Sequence, residues 1–131
     1  MMIVDSNAWA GYFNGNQTPW ADRLEAALRN EEDLAVIPII VSEVLQGFRS
    51  ARGFRKALEV LTSLPSIHPG MDTHVAAARL FRALRAKGVT VRGAVDCVIA
   101  ETCMEAGAVL LSPDSDFIQI AAHTRLRLWS P

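Results

Sequence analysis

Short apolar runs alternate with amphipathic stretches along the whole chain. Residues 2–5, 34–38 and 108–111 are compact apolar runs bounded by polar or turn residues, the pattern of strands buried on both faces. Residues 126–129 read as a closing strand, and residues 66–68 as a small additional one. Between them, residues 7–13 place Trp9, Tyr12 and Phe13 at helical spacing, and residues 19–30 set Trp20, Leu24, Ala27 and Leu28 on one side of a helix. Further helices are predicted at about 40–50, at 53–63 ending before Pro65, at 72–87 stopped by Gly88, at 94–106 stopped by Gly107, and at 114–122. Strands alternating with helices predict an α/β fold: a central parallel β-sheet of about five short strands, flanked by helices on both faces. With no repeats, low-complexity tracts or linkers, residues 1–131 are expected to form one domain.

Composition agrees. A chain of 131 residues, 50% apolar and 21% charged, buries one adequate core and leaves no room for a second. No apolar stretch approaches the roughly 18 to 20 residues that span a bilayer, and the N-terminus lacks a basic segment followed by an apolar signal core, so a cytoplasmic protein is expected. Cys97 and Cys103 lie six residues apart in one predicted helix. At ~1.5 Å rise per residue their Cα atoms stand about 9 Å apart, beyond the ~7 Å reach of a disulfide, which predicts two reduced and mostly buried thiols.

Four carboxylates change the picture from fold to chemistry. Asp5 ends the first strand, Glu43 is expected in the first turn of the helix after the second, and Asp114 opens the helix after residues 108–111. Asp96 lies near the start of the helix feeding that same strand. In a parallel sheet the helix N-termini gather at the carboxyl edge of the strands, where open α/β sheets bind ligands. All four acids therefore converge on one crevice. Held together without a counter-ion they would repel, and some would stay protonated near neutral pH. An all-oxygen donor set with no His or Cys spacing motif favours Mg²⁺ or Mn²⁺, one or two ions, and phosphodiester hydrolysis is the chemistry such a centre performs. The formal charge of −1 does not oppose a nucleic-acid substrate, because two divalent ions would move the balance to about +3.

Each acid also has an ordinary structural explanation. Asp5 suits a turn at a strand end, Glu43 a helix N-terminus, and Asp114 a helix start in which Ser112 is the cap and Pro113 occupies the first turn. Asp96 is harder to explain that way, because it shares a helical face with Ile99, Ala100 and Cys103, where an unpaired carboxylate is costly. Asp116, two residues beyond Asp114, either adds a metal ligand or faces solvent.

At these residues the sequence resembles the PIN-domain family, and most closely its VapC-type ribonuclease toxins. Ile3-Val4-Asp5-Ser6-Asn7 resembles the family's first motif, an acid after a strand followed by a small hydroxyl residue. Val41-Ser42-Glu43-Val44-Leu45-Gln46-Gly47 is similar to its helix-borne glutamate motif, and Gly93-Ala94-Val95-Asp96-Cys97-Val98-Ile99-Ala100 to the stretch carrying the third acid. Leu110-Leu111-Ser112-Pro113-Asp114-Ser115-Asp116-Phe117 resembles the closing motif, with Ser112 where threonine is common. The resemblance implies a single PIN-like domain and a Mg²⁺- or Mn²⁺-dependent endoribonuclease acting as the toxin of a type II toxin–antitoxin module. It implies Asp5, Glu43, Asp96 and Asp114 as metal ligands, Asp116 as a fifth ranked after these four, and Ser112 as supporting the site by hydrogen bonding. It also implies a cognate VapB-type antitoxin, structured RNA as substrate, homodimers and toxin–antitoxin hetero-oligomers.

Arg92, just before the Asp96 motif, is the candidate to reach RNA near the metals. Arg49, Arg52, Arg55 and Lys56 form one basic group and Arg79, Arg82 and Arg85 another, each readable as a phosphate contact or a solvated helix face. The aromatics Trp9, Tyr12, Phe13 and Trp20 read as core, with any exposed area available to an antitoxin or a second subunit. His68, His74 and His123 have no ligand spacing and read as structural or surface residues. Two other classes compete. A phosphate-accepting receiver-like signalling domain matches in size and acids but needs a lysine after a late strand, whereas the only lysines, Lys56 and Lys87, fall in or at the ends of helices. A non-catalytic PIN-like interaction scaffold conflicts with the intact acid set.

Overall fold

The computed structural model describes residues 1–131. The elements run β1 (Met2–Val4), α1 (Ser6–Phe13), α2 (Pro19–Arg29), β2 (Leu34–Ala35), α3 (Pro38–Leu45), α4 (Ala51–Thr62), α5 (Met71–Ala86), α6 (Ala94–Ala106), β3 (Val109–Leu111), α7 (Ser115–His123) and β4 (Arg127–Leu128). The strands form one parallel sheet in the order β2-β1-β3-β4, with Ile3 opposite Ala35 on one side and Leu110 on the other. Successive residues of a strand face opposite sides. Ile3, Val4, Leu110 and Leu111 are all fully buried, so both faces are covered. One group of helices packs α1 on α2 and α3, and another packs α6 between α5 and α7.

Local sequence explains most boundaries. Thr18 caps α2 by accepting from Ala21 N at 3.1 Å, with Pro19 at the first helical position, where its missing N–H is harmless. Ser50 caps α4 in the same way through Gly53 N at 3.0 Å. Gly107 ends α6 at φ 65°, the left-handed conformation in which a Cβ is strained.

The sheet has four strands rather than about five. Residues 66–68 make only a parallel bridge, Val36 to Ser66, held by Val36 N to Pro65 O at 2.9 Å and Ile67 N to Val36 O at 2.8 Å. Pro65 and Pro69 flank the segment and have no N–H to donate, so the ladder stops there. Two boundaries also move. Pro38 opens α3 instead of closing the strand, and α3 ends at Leu45 rather than near residue 50. Glu43 therefore lies in the second turn of α3, not the first.

The path of the chain sets the location of the site. From β1 it crosses to β2 on one side of the sheet, then returns past β1 to β3 and β4 on the other. Neighbouring connections leave β1 and β3 in opposite directions, which opens a crevice at the carboxyl ends of these two strands.

Candidate active site

Asp5 and Ser112 are the first residues beyond β1 and β3. The sheet carries them there as a pair, because Asp5 N donates to Leu111 O at 3.0 Å. Ser112 Oγ then donates to Asp5 Oδ2 at 2.9 Å and accepts from Asp114 N at 3.1 Å, so one buried hydroxyl ties two acids together. Ser112 is thus a bracket between strands and not the cap of α7. That cap is Asp114, whose Oδ1 accepts from Asp116 N at 2.9 Å.

All four expected acids reach one cleft of about 370 Å³, lined by Asp5, Glu43, Asp96 and Asp114 with Ser6, Asn7 and Arg92. Asp116 lies in an adjoining hollow with Asn7, Arg92 and Asp114. Within this set, Asp96, Asp114 and Asp116 each offer an oxygen within 4.8 Å of the others. Sequence alone ranked Asp116 last among the five, yet it belongs to the tightest group. Asp5 and Glu43 line the same cleft outside that group.

The electrostatics show the cost of this gathering. Burial, followed by repulsion from Asp5, Asp114 and Asp116, pushes the Asp96 carboxyl up to about 6. Burial also raises Asp5, partly offset by its bond from Ser112, and burial with repulsion from Asp5 raises Glu43. Glu43 Oε1 is buried with no hydrogen-bond partner. A buried acceptor without a donor is costly unless a cation or proton satisfies it. The orphaned Glu43 oxygen and the close acid triad fit a hard divalent ion with oxygen ligands.

Arg92 was expected to reach towards RNA. In the structure its guanidinium bonds Asp114 and Asp116 at the cleft. Asn7 Nδ2 lies 3.5 Å from Asp114 Oδ2 and borders both hollows, a site residue that sequence reasoning passed over. Its only signal was its place two residues after Asp5. The basic groups on α4 and α5 lie outside the cleft, as do Lys56 and Lys87, so the lysine a receiver domain needs is not at the site. His74 and His123 contact carbonyl oxygens of their own helical segments, and His68 is exposed, as expected of structural or surface residues. Cys97 and Cys103 are free and buried, and burial pushes their thiols up to about 11 and about 12. Trp9 is fully buried, whereas Tyr12, Phe13 and Trp20 pack at the edge of the core.

A parallel sheet of this order with acids from β1, α3, α6 and the β3–α7 junction defines a class of fold and site, and sequence comparison identifies it. The chain belongs to the PIN domain family, whose profile matches residues 2–123. Among characterised relatives it is similar to the ribonuclease VapC11 of Mycobacterium tuberculosis and to a VapC ribonuclease of Mycobacterium bovis. Each is 31% identical over 97% of this chain and 96% of the relative. Solved structures with the same fold include VapBC2 from Rickettsia felis bound to a DNA fragment of its promoter, with TM-score 0.76, 20% identity and 98% of both chains covered. Another is the Mycobacterium tuberculosis toxin VapC20, which cleaves the sarcin–ricin loop, with TM-score 0.70, 15% identity, and 97% of this chain and 99% of that one covered. No helix of the structure is long and apolar enough to cross a membrane.

Proposed function

We propose that the chain is a Mg²⁺- or Mn²⁺-dependent endoribonuclease and the toxin of a type II toxin–antitoxin pair, its domain spanning residues 1–131. The observation that carries this reading is the convergence of Asp5, Glu43, Asp96 and Asp114 on one cleft at the switch point of the sheet. Family membership and the VapC relatives supply the preference for RNA.

Asp5, Glu43, Asp96 and Asp114 would hold the cation, with Asp116 a further oxygen donor beside Asp96 and Asp114. Held by these acids, a divalent ion would supply polarisation of a phosphoryl oxygen, an activated water and charge neutralisation of the leaving oxygen. The chain's own residues prepare for that. Ser112 fixes Asp5 and Asp114 relative to one another, so two strands and α7 present their acids as a rigid unit. The orphaned Oε1 leaves Glu43 an unused acceptor at the cleft.

The same reading supplies partners: a VapB-type antitoxin and a second copy of the chain. An apolar groove of about 480 Å³, lined by Ile37, Pro38, Ile39, Pro69, Val95 and Val98, adjoins the cleft through Val95. Ile39, Met71, Val75 and Val95 stay exposed on the segments around it, apolar area that suits a protein contact.

The test is cleavage of total cellular RNA by purified protein with Mg²⁺ or Mn²⁺, with EDTA, and beside Asp96→Asn. Discrete fragments that need both metal and Asp96 are expected. Undiminished cleavage by the variant, or in EDTA, would overturn the assignment.

A further inference from the structure

Arg92 sits where a cation would. Its Nε donates to Asp116 Oδ2 at 3.2 Å, its backbone N–H donates to the same oxygen at 3.2 Å, and Nη2 bonds Asp114 Oδ2. Asp114 and Asp116 are two of the three acids whose oxygens lie within 4.8 Å of one another. The Arg92 side chain is itself 73% exposed, whereas those of Asp114 and Asp116 are 9% and 19% exposed. Burial does not hold the guanidinium in place; the two carboxylates do. A planar guanidinium spans two carboxylates with separate N–H groups, which a lysine ammonium does less well.

Resting on the metal-centre reading above, we propose that Arg92 is an internal counter-cation: it neutralises the Asp114–Asp116 pair in the metal-free protein and competes with the divalent ion for the same carboxylates. A hard cation among Asp96, Asp114 and Asp116 draws on oxygens that Arg92 engages, and two positive centres that close repel. Metal loading therefore releases the guanidinium. The Arg92 side chain is exposed although its neighbour Val91 is buried, so departure of the guanidinium alone disturbs no core packing. It also borders the cleft itself. Once released it remains within reach of a substrate phosphate, which accepts the N–H groups the aspartates have given up. One residue thus couples metal entry to RNA capture.

The test is Mn²⁺ binding by calorimetry to the full chain without RNA, for wild type, Arg92→Gln, Arg92→Lys and Asp96→Asn. Arg92→Gln is expected to bind Mn²⁺ on the order of tenfold more tightly, Arg92→Lys by an intermediate amount. In EDTA, Arg92→Gln should melt below wild type, since its acids have lost their counter-charge, and should gain more on Mn²⁺ saturation. Titration of wild type with Mg²⁺ should shift the Arg92 Nε–Hε NMR resonance as the guanidinium leaves. Equal or weaker Mn²⁺ binding by Arg92→Gln overturns the proposal, and so does Arg92→Lys matching wild type, which would leave only long-range charge. If Asp96→Asn weakens Mn²⁺ binding while Arg92→Gln does not change it, the counter-cation falls and the metal centre stands. Absence of Mn²⁺ binding in both wild type and Arg92→Gln overturns both.

Discussion

The two halves of the acidic cleft are held by different means. At its floor Asp5 is 3% exposed, follows the central strand directly, and takes its hydrogen bond from a serine fixed by the neighbouring strand. At its rim Asp114 caps α7 and donates its backbone N–H to Ser112, while the carboxylates of Asp114 and Asp116 are bridged by a largely exposed arginine side chain. Packing and the backbone ladder position the floor, so its geometry persists whatever ion is present. The α7 cap and the Ser112 bond hold the backbone of the rim, but an ion pair with an exposed side chain occupies its outward oxygens, so their occupancy should follow the ionic state. Asp96, at the start of α6, stands between the two and feels repulsion from acids of both halves.

The largest expected effect comes from that middle position. Asp96→Asn should lower RNA cleavage by about a thousandfold or more, since the ion's stabilisation of the transition state amounts to several kcal/mol and each ~1.4 kcal/mol is tenfold in rate. The same change removes like-charge repulsion, so in EDTA the variant should melt at or above wild type. Parallel rate assays and melts check this. A variant that loses activity only because it unfolds would break the distinction between chemistry and scaffold at this residue.

Ser112→Ala strikes the floor. It removes the donor to Asp5 and the acceptor for Asp114 N, both in a 5% exposed setting, and should cost about 1–3 kcal/mol of stability. Cleavage should fall roughly 10- to 100-fold, as for partners that orient metal ligands. Denaturant melts and rates measure the two effects together. A loss of activity without loss of stability would mean that Ser112 does not brace the floor.

The same division governs what the sequence reveals. The place of Asp5 and Ser112 was legible, because each adjoins a continuous apolar run that suits a buried strand, but the bond from Ser112 to Asp5 joins residues 107 positions apart and left no local sign. The helix stops at Gly88 and Gly107 were legible for an equally local reason, both glycines adopting positive φ. The fifth strand failed because an apolar pattern at residues 66–68 does not show that Pro65 and Pro69 withhold donors from the ladder. The depth of Glu43 in α3 was misjudged because Pro38 suits a strand end and a first helical position alike. At the rim nothing periodic links Arg92 to Asp114 and Asp116, more than twenty positions away, so the ion pairs were invisible until the chain was folded.

Acidity offers a subtler separation. Because Asp96 is pushed up to about 6 in the folded protein, above its ordinary 3.8, the folded state holds this proton at a pH where the unfolded chain has released it. The metal-free protein should therefore gain stability from this group as pH falls from 7 towards 5, and lose that gain as pH rises through about 6. Asp5 and Glu43 are raised as well and act in the same direction. In EDTA, Asp96→Asn should be more stable than wild type at pH 7.5, with the gap closing towards pH 5. A gap that stays constant across this range would show that Asp96 ionises as an ordinary exposed acid. Metal binding displaces the proton, so affinity should climb with pH and level off above about 6.

The smallest effect is expected at the rim. Asp116→Asn removes one oxygen of the close triad, which weakens the hold on the cation, and also removes one of the two carboxylates gripping Arg92, which weakens its competitor. The opposed changes should leave cleavage at saturating Mg²⁺ within about tenfold of wild type, well short of the loss on removing a principal metal ligand. Rates measured over a Mg²⁺ series check this. A hundredfold loss that excess Mg²⁺ does not restore would place Asp116 with Asp5 and Asp96 as a fixed member of the centre, and the floor and rim would then no longer differ in kind.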